Sequence, residues 1–297
     1  MKRTSVTRRE MMLNAVRAVA GLTLSSSCAP LSERQPAKVQ YNGFKLAVCD
    51  WTIGKRTDPA SIEMAKRIGL DGVQVDFGSG EEQLPLFDSE LQKRFLDETE
   101  KQEMEIASLA LGVLNGVPYK SDPRAERWVA QSVDVCKALG VTVVLVPFFG
   151  EADLQNDKEG TDAVVEKLKK VAPKAEESGV VLGVESWLSA EQHLDIVNRV
   201  GSPAVKVYYD VANSHKAGYD IYDEIRQLGG QICEFHAKDY DNLYGMGSIS
   251  FPDVRRAMDD IGYRGWIVME GTEMPLGIEG SCRYDAKYLR RIFPLKA

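Results

Sequence analysis

Only five of the 297 residues are cysteine, at 28, 49, 136, 233 and 282, and no pair has CxxC or CxxxC spacing. This excludes a zinc module and a dense disulfide framework. Cys49, Cys136 and Cys233 fall in apolar patterns and are expected as small core residues. A basic stripe with interleaved aromatics is also missing. The net charge is −7, and residues 1–27 hold Lys2, Arg3, Arg8, Arg9 and Arg17 against Glu10, so the remainder stands at −11. So acidic a body repels a phosphate backbone and excludes nucleic acid as a partner. There is no GxGxxG turn of the dinucleotide-binding kind, no low-complexity tract and no sign of a second domain.

Residues 1–28 read as an address. They combine a basic start, the twin arginine Arg8-Arg9 after Ser5 and Thr7, a modest apolar stretch interrupted by Arg17, and a small-residue end. That order resembles a twin-arginine export signal, and the stretch is too short and too polar for a permanent membrane anchor. Ser25-Ser26-Ser27-Cys28 resembles a lipoprotein processing site, which makes Cys28 the candidate for a lipid anchor. The expected location is therefore exported, either periplasmic or lipid-anchored. Residues 29–42, with two prolines and three charges, read as a linker.

From residue 43 onward, apolar strand candidates alternate with helical patterns about every 30 residues. Strands are expected at 44–54, 71–78, 105–114, 141–150, 180–187, 205–215, 232–240 and 266–271. Helices are expected at 58–70, 88–103, 122–140, 161–179, 189–199, 220–229, 251–262 and 285–293. IGLDGVQV, LGVTVVLV, SGVVLGVE and IGYRGWIV share one design of helix end, glycine and buried strand. Eight such units predict an α/β fold, a (β/α)8 TIM barrel forming a single domain over 43–297.

The last four strand candidates end in Glu185, Asp210, His236 and Glu270. Carboxyl ends of neighbouring parallel strands converge on one mouth of a barrel, so these four can ligate one ion. Three carboxylates and one imidazole suit a divalent metal of the manganese, cobalt or magnesium type better than a structural zinc. A lone strand-end carboxylate is often a helix cap or a solvated charge, and a buried imidazole can be satisfied by a backbone carbonyl. Four such residues at strands five to eight favour a site.

VES at 184–186, YYDVAN at 208–213, HAKD at 236–239, GMG at 245–247 and MEG at 269–271 resemble the sugar phosphate isomerase/epimerase superfamily, the xylose-isomerase-like TIM barrels. The ligand spacings of 25, 26 and 34 residues are similar to its ketose 3-epimerase branch. The resemblance implies that all four residues bind one divalent ion and that Glu185 and Glu270 are also the acid/base pair. It implies a sugar isomerase or epimerase that abstracts the proton α to a carbonyl through an enediolate, with a small sugar or keto-sugar as partner. Glu191, Asn213, Lys238 and Trp187 are the expected substrate-binding residues. Asn213 stands where that branch has a histidine, Asn242 where it has an arginine and Met246 where it has an acidic residue.

Related apurinic endonucleases assemble three metals with several histidines, and the three here, at 193, 215 and 236, are too few. Export favours a free or oxidised sugar over a sugar phosphate. A keto-glycoside lyase or hydrolase on the same site is one alternative. A noncatalytic sugar-binding lipoprotein is another, although none of the four ligands is lost. Trp51, Trp187 and Tyr240 are placed to stack on a sugar ring or to pack the rim.

Overall fold

The computed structural model describes residues 43–271 and 273–296. The expected export signal and linker lie outside the described residues. Eight strands run β1 Lys45–Cys49, β2 Gly72–Asp76, β3 Glu105–Ala110, β4 Val143–Phe148, β5 Val181–Ser186, β6 Val205–Asp210, β7 Ile232–Ala237 and β8 Trp266–Met269. They pair in parallel, each with the next, and β8 closes on β1 to form a TIM barrel. Helices α1 Ala60–Ile68, α2 Ser89–Gln102, α3 Pro123–Leu139, α4 Lys158–Ser178 and α5 Ala190–Val200 lie on the outside. They are followed by α6 Val211–Lys216, α7 Ile221–Leu228, α8 Phe251–Asp260 and α9 Gly277–Ile292. None of the described helices is long and apolar enough to cross a membrane.

Alternation along each strand sorts the side chains into two layers. Val144 and Val146 of β4, Leu182 and Val184 of β5, and Phe235 and Ala237 of β7 join the large core between sheet and helices. Ala47, Cys49, Val143, Leu145, Tyr208, Trp266 and Val268 form a smaller cluster, the packed interior of the barrel. By the same parity, Gln74, Glu185, Asp210, His236 and Glu270 share the inward positions near the carboxyl ends. Gly183 also lies inward, where an added Cβ would come 2.9 Å from Cys233 Sγ, so only glycine fits there without a shift.

Helix starts are fixed by short polar side chains. Asp88, Asp122, Asp157 and Ser189 each accept a backbone N–H in the first turn of α2, α3, α4 and α5, and Ser189 with Gln192 completes a capping box. The Asp157 cap starts α4 at Lys158, ahead of the expected 161. The first strand stops at Cys49 because Asp50 turns the chain, its Oδ2 accepting from Thr57 N and Asp76 N. The expected strand 205–215 is corrected more sharply: it ends at Asp210 and a helix follows at once. The closing helix begins at Gly277, ahead of the expected 285. All four described cysteines are free, with Cys49, Cys136 and Cys282 buried and Cys233 half-buried.

Candidate metal centre

Glu185, Asp210, His236 and Glu270 each present one donor atom such that all four atoms lie within 4.8 Å of one another. Register accounts for much of this. Asp210 is paired with His236 across β6 and β7, His236 with Val268 across β7 and β8, and Glu270 N donates to Ala237 O at 2.9 Å. Glu185 and Glu270 stand at the two ends of this four-strand arc, with Asp210 and His236 between them. Among the described residues this is the group able to hold a metal ion.

The chemistry of the four is that of a crowded anion set. His236 Nδ1 lies 3.0 Å from Glu185 Oε1 and 3.7 Å from Glu270 Oε2. Asp210 Oδ1 accepts from Ala212 N at 2.7 Å and Asn213 N at 2.9 Å, which caps α6. Its other oxygen, Oδ2, is buried and faces no N–H or O–H donor. Burial and then the Glu270 charge push the Asp210 carboxyl up to about 8, so two anions side by side are disfavoured here. Burial also raises Glu185. For Glu270 the burial cost is outweighed by His236 and Lys238, which hold it below the usual carboxylate range. Burial opposes charge on His236, but Glu185 and Glu270 win and lift it to about 9. An orphaned buried carboxylate oxygen among three carboxylates fits a divalent cation, with a ring nitrogen as fourth donor.

Of the other expected residues, Lys238 joins the quartet, its Nζ 3.0 Å from Glu270 Oε2. Burial disfavours its charge, yet Glu270, Asp210 and Glu185 together raise it above the usual lysine range. Asn213 sits in the first turn of α6, its N–H held by Asp210. Trp187 lies just past β5, half-buried, with its ring edge-on to Phe149 at 5.1 Å. Glu191 is not brought to the quartet. α5 turns Ala190, His193, Ile196 and Val197 inward, and leaves Glu191 exposed on a groove of about 780 Å³ shared with Asp157, Asp162 and Arg199.

Trp51 approaches edge-on, its ring 6.3 Å from that of His236. Tyr240 is hydrogen-bonded to His215 Nδ1 at 2.7 Å from an uncommon left-handed backbone, φ 55°. Asp239 does not face the quartet. Its carboxylate takes Gly245 N, Gly247 N and Ile249 N and so ties down the GMG loop. A Cβ on Gly247 would meet Asp239 Oδ1 at 2.2 Å. On the other side of the mouth Asp76 pairs with Arg56 at 3.1 Å, and burial pushes Asp50 up to about 8. Sequence reasoning passed over Gln74, whose Oε1 lies 2.8 Å from His236 Nε2, because it reads as an ordinary residue inside a strand.

Comparison with known proteins adds four observations. A D-psicose 3-epimerase from Enterocloster bolteae is 32% identical over 138 residues, 43% of this chain and 46% of that enzyme, so the chain spans about half the length of this curated relative. A 2-epi-5-epi-valiolone 7-phosphate 2-epimerase from Actinoplanes sp. is 25% identical over 199 residues, 66% of this chain and 72% of that enzyme. Among solved structures, the D-psicose 3-epimerase of Clostridium cellulolyticum H10 with D-tagatose superposes with a TM-score of 0.69 at 19% identity, covering 85% of this chain and 100% of its own. That last likeness is one of fold alone. The xylose isomerase-like TIM barrel family matches residues 62–292, nearly the whole of the closed eight-strand barrel, and the chain belongs to that family.

Proposed function

We propose that the chain is a divalent-metal-dependent sugar epimerase acting on a carbon next to a carbonyl, with a free ketose or keto-sugar as substrate. The observation that carries this is the convergence of Glu185, Asp210, His236 and Glu270 within 4.8 Å, with the two glutamates at opposite ends of the arc. The similar D-psicose 3-epimerase and valiolone phosphate 2-epimerase support epimerisation over elimination.

Glu185, Asp210, His236 and Glu270 would hold the ion, which when bound supplies a Lewis acid for the substrate carbonyl. The two glutamates approach from different strands, so one can take the α proton from one face while the other returns a proton to the opposite face. Lys238 keeps a positive charge against Glu270 and steadies its carboxylate. Burial of Glu185, Asp210 and His236 keeps bulk water from competing for that proton.

Glu185→Gln and Glu270→Gln each keep an oxygen ligand while removing the proton carrier. With metal-loaded protein and a panel of free ketoses and 3-keto-glycosides, each variant is expected to lose about 100-fold or more in kcat, roughly 3 kcal/mol of barrier. In deuterated water the product should gain one carbon-bound deuterium α to the carbonyl. Turnover with full retention of that hydrogen rules out the two-carboxylate mechanism.

Export by the twin-arginine route belongs to the same proposal, with Cys28 the candidate lipid anchor. It is supported by Arg8-Arg9 and by the small-residue end of the apolar stretch behind them. Changing both arginines to lysine should leave the chain in the cytoplasm on fractionation, and undiminished export of that variant would refute the route.

A further inference from the structure

His236 has two ring nitrogens and only Nδ1 faces the carboxylates. A ligand imidazole must carry its proton on the nitrogen turned away from the ion, and the partner of that nitrogen decides the matter. Nε2 lies 2.8 Å from Gln74 Oε1, on the opposite wall of the barrel.

The Gln74 amide is fully committed. Its Nε2 donates to Ser108 Oγ at 2.9 Å and to Tyr208 OH at 3.0 Å. Its Oε1 receives the Cys49 thiol at 3.2 Å as well as His236. Ser108 Oγ and Tyr208 OH each offer a lone pair to the amide NH2. A flipped amide would set its NH2 against the Cys49 thiol and the imidazole, where its oxygen now accepts from the thiol. All of these side chains are buried within the barrel.

We propose that Gln74 is the positioning residue of the metal centre: its amide oxygen takes the Nε2 proton of His236, so that the Nδ1 lone pair is turned toward Glu185, Asp210 and Glu270. This rests on the proposed metal site and deepens it. Ser108 and Tyr208 on the NH2 side and Cys49 on the oxygen side set the direction of the amide. Glutamine suits the position because it offers one acceptor upward and two donors sideways, a combination that neither glutamate nor an aliphatic residue supplies.

The test uses Cd2+ as a diamagnetic probe on the full chain. With only three histidines, a 15N–1H long-range correlation spectrum resolves each ring. The unaltered protein with Cd2+ should show His236 protonated at Nε2 with Nδ1 coupled to cadmium. Gln74→Met, close in volume, should weaken Cd2+ affinity about 10- to 100-fold and expose the Nε2 proton to rapid exchange. Gln74→Glu, which keeps the acceptor, should recover much of the affinity. A cadmium-bound His236 protonated at Nδ1 overturns the proposal from the unaltered chain alone, whether or not the variants fold. Folded Gln74→Met with unchanged affinity overturns it too. No cadmium bound by the unaltered protein would instead refute the metal site itself.

Discussion

At the scale of single residues, His236 answers two demands with one ring. It is buried, so it needs partners at both nitrogens, and it has them in Glu185 and Gln74. Removing the ring leaves three carboxylates facing one another with less to balance them, because Lys238 reaches Glu270 and no hydrogen-bond donor faces Asp210 Oδ2. His236→Ala is therefore expected to lower the affinity for Mn2+ by more than about 100-fold, beyond what loss of a merely orienting group costs. Elemental analysis after dialysis at fixed free metal measures this, and unchanged stoichiometry would rule out the site. The four ligand positions were legible because each ends a strand run in a polar residue. Gln74 was not, since a glutamine between two valines carries no mark of the side it faces until the barrel closes.

At the scale of elements, the same carboxylate can end one and start the next. Asp210 is the last residue of β6 and the cap of α6, and the apolar parity of 205–209 gives no warning that Val211–Lys216 turns helical. The helix–glycine–strand repeats were legible because left-handed glycines such as Gly140, φ 68°, and Gly179, φ 67°, end the helix before the next strand. A second join, between β5 and α5, is made by His193. Its Nε2 lies 2.9 Å from Ser186 Oγ and its Nδ1 3.1 Å from Ser189 O, so Nδ1 donates to the carbonyl and Nε2 accepts the hydroxyl. Burial pushes this imidazole down to about 4. A depressed folded value means that the stability it contributes is whole above the unfolded value near 6.5 and is lost as pH falls toward 4. Between pH 7 and 4.5 the unaltered chain should lose about 2 to 3 kcal/mol more stability than His193→Gln in urea titrations. Parallel losses in both proteins would show that His193 takes no part in the acid transition.

At the scale of the whole molecule, the closed barrel brings together four groups that repel or compete, a conflict that the proposed divalent cation would relieve. Asp210, pushed up to about 8, holds its proton more tightly in the fold than in the unfolded chain, and so does His236, lifted to about 9. Between these values and their unfolded ones the folded state binds the extra protons, so the metal-free fold loses stability as pH rises from 5 to 8. Metal binding runs the other way, because the ion must displace those protons and does so more easily as they become scarce. The two trends add. At a free metal concentration about 100 times its Kd the loaded protein should be more stable by about 2.7 kcal/mol, an increase in Tm of about 5 to 10 °C for a domain of this size. The gap in Tm between the Mn2+-loaded and the chelator-treated protein should widen steadily from pH 5 to pH 8, read by scanning calorimetry at constant ionic strength. A gap that stays constant or narrows over that range would mean that Asp210 and His236 do not release protons to the ion, and would remove them from the ligand set.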